Sequence, residues 1–100
     1  MNEEELMRIG FFRIETDPSD KGINVKRFQL YEYYKGAFVR IIVSKRNEVF
    51  VVEHIYFNSP KSDELQLELF GTDLSAENVI NKIREHKKNV IPPDQMPESF

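Results

Sequence analysis

Enzymatic chemistry needs nucleophiles, bases or metal ligands held together, and this 100-residue chain has few of them: two histidines, His54 and His86, and no cysteine. Without cysteine there is no thiolate nucleophile, no Cys-ligated zinc and no disulfide, which fits a reducing compartment. The histidines are far apart in sequence and lack HxxxH-type spacing, so no metal is expected. Ser44, His54 and Asp63 are the residue types of a hydrolytic triad, but no nucleophile-elbow motif surrounds the serine. Gly10, Gly22, Gly36 and Gly71 are too scattered to cradle a phosphate or form a dinucleotide fingerprint. Glu3-Glu4-Glu5 reads as solvated carboxylates ahead of Leu6 and Met7. These residues point to a non-enzymatic chain with no cofactor.

The remaining signal lies in residues 21–46, where seven Lys/Arg face one carboxylate, Glu32, and alternate with Phe28, Tyr31, Tyr33, Tyr34 and Phe38. That stretch carries a formal +6 and the remainder −9, giving a net charge of −3. Local charge of this kind steers partners without deciding fold. Two kinds of partner suit it. Aromatic faces beside Lys/Arg can anchor a protein interface. The same groups can stack bases and neutralise phosphates of a single strand, although acidity elsewhere in the chain opposes a polyanion.

The elements that position these residues follow from periodicity. Forty per cent hydrophobic and 31% charged residues suit one folded domain with a single core. No apolar run approaches the ~20 residues needed to span a bilayer, and the acidic start is unlike a secretory signal, so a cytoplasmic location is expected. Period-two runs predict strands at residues 8–15, 25–34, 37–44 and 49–57, with a fifth at 65–70 from the strict alternation of Leu65, Leu67 and Leu69. The turn-forming cluster from Asp17 to Gly22 closes the first strand. Leu74, Ala76, Val79, Ile80 and Ile83 then recur at helical spacing behind Ser75, an N-cap, and predict a helix over 76–88 that Asn89 and Pro92-Pro93 end. The fold class is α+β: an antiparallel meander of four to five strands with one C-terminal helix packed on one face. Residues 1–91 form the domain and 92–100 an extended Pro-rich tail. Four antiparallel strands followed by a helix resemble PUR-type repeats in topology; no residue motif is shared, so no residue role carries over.

A two-residue turn at Lys35-Gly36 fixes the pairing of the hairpin. Phe28 meets Val43, Leu30 meets Ile41 and Glu32 meets Val39 on a core face. Tyr31 meets Arg40 and Tyr33 meets Phe38 on the other. Extending the pattern across a turn at Arg46-Asn47 puts Phe50, Val52, His54 and Tyr56 on the core face, with Val49, Val51, Glu53, Ile55 and Phe57 opposite, and sets Arg40 against Glu53. One helix covers one face and leaves an apolar surface larger than soluble monomers usually expose. The expected function is therefore a protein-interaction module of adaptor, inhibitor or immunity type. It is homodimeric through, or binds a partner on, a face centred on Tyr31, Tyr33, Phe38, Arg40 and Phe57. The alternative is a single-strand nucleic-acid binder using the hairpin 25–46, through Arg27, Tyr31, Tyr33, Arg40, Lys45 and Arg46. No membrane partner is expected.

Overall fold

The structure, a computed structural model, describes residues 2–14 and 25–88. Two tight turns set the sheet. Lys35 and Gly36 take φ of 49° and 82°, and Asn47 and Glu48 take 49° and 68°. Positive φ at both central residues is the type I′ geometry that matches the twist of paired strands. The turns join β2 (Val25–Tyr34), β3 (Ala37–Arg46) and β4 (Val49–Phe57), and a short β1 (Phe12–Ile14) pairs with β2, giving an antiparallel meander in the order β1-β2-β3-β4. β2 and β3 pair throughout in the expected register, from Val25↔Arg46 to Tyr34↔Ala37.

Among the described residues three helices, not one, cover the core face: α1 (Glu3–Arg8), α2 (Ser62–Phe70) and α3 (Ala76–Lys88). Leu6 of α1, Phe70 of α2 and Val79, Ile80 and Ile83 of α3 join Phe28, Leu30, Val39, Ile41, Val43 and Phe57 in one buried cluster. At α1, Asn2 Oδ1 accepts from Glu5 N at 2.9 Å, and the acidic first turn suits the helix dipole. At α3, Ser75 Oγ accepts from Asn78 N at 3.3 Å, the expected cap. Asn78 Nδ2 donates to Phe70 O (2.9 Å) and Asp73 O (2.6 Å), tying the end of α2 to the start of α3. The backbone N–H of Ser75 donates to Asp73 Oδ1, which lowers the Asp73 pKa.

Several expectations change. The strand predicted for residues 8–15 shrinks to β1, because α1 takes Arg8 and Gly10 turns with φ of 112°. The fifth strand is instead α2: Leu65, Leu69 and Phe70 lie on one helical stripe toward the core, leaving Leu67 exposed. β3 runs to Arg46, so the second turn is Asn47-Glu48 rather than Arg46-Asn47. The turn proposed around Asp17 to Gly22, the end of α3 at Asn89 and the tail 92–100 lie outside the described residues.

A bulge in β4 makes the largest difference. Val43 pairs with Val52 but Ile42 pairs with His54, so Glu53 is an extra residue. Beyond it the alternation inverts. Phe50 and Val52 face the core as expected, but so do Ile55 and Phe57, which were assigned to the other face. His54 and Tyr56, assigned to the core, lie opposite Ile42 and Arg40 on the outer face. Arg40 thus opposes Tyr56, not Glu53.

Candidate functional site

The outer face, on which none of the described helices packs, divides into two halves. At the end near Val25 and Arg46, long side chains close over it. The Glu53 carboxylate takes Arg27 Nε at 2.8 Å on one oxygen and an Arg46 guanidinium nitrogen at 3.1 Å on the other. Burial pushes the Glu53 carboxyl up, and the Arg27 and Arg46 hydrogen bonds more than reverse it, so its pKa falls below the ordinary value. Ser44, fully buried, lies beside that carboxylate and helps lower it, though its hydroxyl makes no hydrogen bond of full geometry.

The other half is open. Its centre is the cross-strand row Tyr31–Arg40–Tyr56, followed by Tyr33–Phe38 and then Asn58, whose N–H donates to Phe38 O at 2.8 Å. Tyr31, Phe38, Arg40, Tyr56 and Asn58 line a concavity of about 510 Å³ open to solvent. The rings are far from buried: Tyr31 and Tyr33 are 54% exposed, Tyr56 51% and Phe38 46%. Neighbours hold them in place. Tyr31 stacks on Phe12 (6.4 Å between centroids), Tyr33 leans on Phe38 (4.0 Å) and Tyr56 stacks on His54 (6.1 Å). Gln29, almost buried, accepts from Arg40 Nε at 2.9 Å and fixes the guanidinium among the rings.

The charge that singled out this hairpin is mostly spent within the chain. Lys26 and Lys45 pair with Glu3 at 3.4 and 3.1 Å, and Lys45 also with Glu48 at 3.3 Å. Lys35 pairs with Glu68 of α2. The hydrogen bond from Lys45 leads in lowering the Glu3 pKa, and Glu3 in turn raises that of Lys45. Among the described residues of the stretch, Arg40 alone among the Lys/Arg has no carboxylate at ion-pair distance; Lys21 lies outside them.

The structure therefore brings together four of the five expected contact residues, Tyr31, Tyr33, Phe38 and Arg40. The fifth, Phe57, is fully buried against Phe70 and Tyr34, because the bulge turns it to the core. Tyr56 takes its place. The sequence did hold a trace of this: the adjacent polar pair Glu53-His54 interrupts an apolar strand, and the apolar positions 50, 52, 55 and 57 contain one step of three. The nucleic-acid set is divided, since Arg27 and Arg46 are bound by Glu53 and Lys45 extends from the core face to Glu3.

The triad residues are apart: Ser44 is buried, His54 is exposed on the outer face, and Asp63 is on α2 beneath the core face. Among the described residues no group of three or more His, Cys, Asp or Glu is placed to hold a metal, and no helix is long and apolar enough to cross a membrane. No family model, curated protein or solved structure matches this chain.

Proposed function

We propose that the chain is a non-enzymatic protein-interaction module whose outer sheet face takes up an extended acidic segment of a protein partner. The observation that carries this reading is Arg40, a cation without a carboxylate partner among the described residues, fixed by Gln29 inside a hollow of exposed rings. Rings with few rotatable bonds around an arginine are the usual anchors of protein interfaces, and a carboxylate entering the hollow gains a charge-assisted hydrogen bond. The concavity favours an inserted segment over the flat face of a second copy, because two such hollows facing each other about a twofold axis leave a void. The nucleic-acid alternative keeps its aromatic faces but loses most of its cations to Glu3, Glu53 and Glu68.

Fluorescence anisotropy with short labelled peptides tests the reading, comparing acidic, proline-containing sequences with their lysine-substituted counterparts. The acidic set should bind, and Arg40→Glu should weaken it at least tenfold, about 1.4 kcal/mol. Val49→Thr, at the closed end, should leave it unchanged. Equal binding of both sets, or indifference to Arg40→Glu, overturns the proposal. So does tight, salt-sensitive binding of a labelled single-stranded oligonucleotide, which would favour the alternative.

A further inference from the structure

The two edges of the sheet are finished differently. On the β2 side, β1 pairs with residues 27–29, and beyond it Tyr33 has both backbone groups occupied: its N–H donates to Glu32 Oε1 at 3.0 Å, and its carbonyl accepts from His86 Nε2 at 2.9 Å. On the other side β4 ends the sheet, and no described strand pairs with its outer edge. Resting on the docking reading above, we propose that the partner's acidic segment binds as a fifth strand along β4. Its backbone pairs with that edge, and its side chains point alternately over the margin of the core and toward the basin.

The ladder decides which groups the edge offers. A two-residue turn makes its flanking residues, Arg46 and Val49, a hydrogen-bonded pair, and such pairs recur at alternate positions. Val51 therefore directs its N–H and C=O at β3, while Phe50 and Val52 turn theirs outward. Past the bulge Asn58 N donates to Phe38 O, which sets His54 and Tyr56 toward β3 and leaves Ile55 and Phe57 outward. Phe57 bears out this parity: its N–H donates to Ser62 Oγ at 3.4 Å and its carbonyl accepts from Ser59 N at 2.8 Å. The edge is thus closed at Phe57 and, among the described residues, open at Phe50, Val52 and Ile55.

The side chains suit the same occupant. Val39, Ile41 and Val43 of β3 are fully buried, whereas the core-facing Phe50, Val52 and Ile55 of β4 are only partly covered, so the core is unfinished along this edge. β4 has neither lysine nor proline, the common guards of an exposed edge, and its one carboxylate, Glu53, is held by Arg27 and Arg46. Apolar residues at alternate positions of an added strand would cover the three half-buried side chains. The residues between them lie on the outer face, and the one beside Tyr56 is two strand spacings, about 10 Å, from Arg40. An acidic side chain there and the arginine can meet over the Tyr56 ring. A second copy of β4 fits less well, because its only carboxylate is already held and brings nothing to Arg40. The occupant is therefore a partner segment that alternates apolar and acidic residues, added to an open edge in the manner of other strand-pairing ligands.

A labelled peptide of about eight residues alternating valine and glutamate tests this, by fluorescence anisotropy and by amide hydrogen exchange on the full chain. A single N-methyl group moved along the peptide should weaken binding about tenfold at every second position and leave the positions between unchanged, because only alternate N–H groups meet β4. Bound peptide should slow exchange of the Phe50, Val52 and Ile55 amides about tenfold, while those of Val49 and Val51, already bonded to β3, stay as they were. Uniform tolerance of N-methylation, or unchanged exchange at those three amides, overturns the inference. If the peptide then still binds and is released by Arg40→Glu, the docking face stands without strand addition; if no acidic peptide binds, both fall. Protection of the same amides that grows with protein concentration in the absence of peptide also overturns the inference, since a second copy would then hold the edge.

Discussion

Glu53 does two jobs at the scale of a single residue. It is the extra residue of the bulge, and its carboxylate joins two strands by holding Arg27 and Arg46. A carboxyl whose folded pKa is depressed stabilises the fold above its unfolded value and loses that contribution as pH falls through the folded one. Glu3 and Glu53 are both held below the ordinary 4.5. Stability should therefore be level near neutral pH and decline from about pH 4.5 downward. Glu53→Gln should cost about 1 kcal/mol at pH 7, after allowance for solvent screening, and less near pH 3. Urea unfolding at the two pH values measures this, and an equal loss at both would mean the carboxylate's charge is not the cause.

At the scale of elements, β4 gives the sharpest test, because neighbours in sequence have opposite fates. Phe57→Ala should cost about 3–5 kcal/mol by emptying a packed site, whereas Tyr56→Ala should cost less than about 1 kcal/mol. Thermal or urea unfolding decides it, and a Tyr56 loss as large as that of Phe57 would reverse the faces. This strand also shows how far sequence reading reached. Lys35-Gly36 set the first hairpin completely, because a two-residue turn and an unbroken alternation leave a single register. The second hairpin failed twice over. Arg46, Asn47 and Glu48 are all polar, so the turn had no unique centre, and the bulge broke the alternation that faces were inferred from. In α2, Leu65, Leu67 and Leu69 fit a period of two, but the tertiary contact of Phe70 with Phe57 selects the helix. α1 was missed because six residues give little periodicity, although Asn2 and Glu5 have the spacing of a capping box.

At the scale of the whole molecule, the division of charge along the sequence is largely undone in space. The carboxylates that neutralise Lys26, Arg27 and Lys45 come from 23, 26 and 42 residues away, distances over which no local pattern signals a pairing. What looked like an extended basic surface contracts to Arg40 and its rings. A hollow suited to an inserted segment does not call for a second copy of the chain. Light scattering coupled to size exclusion should give a mass near 11.9 kDa over a wide dilution range. A mass of twice that value would mean that a second copy fills the basin.

The bulge also divides β4 into two reading frames. Tolerance to substitution along Val49–Phe57 should alternate, with positions 50 and 52 restrictive, and then shift phase so that 55 and 57 take over that role. A single-residue deletion at 53 would remove the bulge and leave one unbroken alternation, with Tyr56 still opposite Arg40 on the outer face and Phe57 still opposite Val39 in the core. What the deletion would take away is the carboxylate that holds Arg27 and Arg46, so the extra residue answers to that ion pair and not to the facing of the basin.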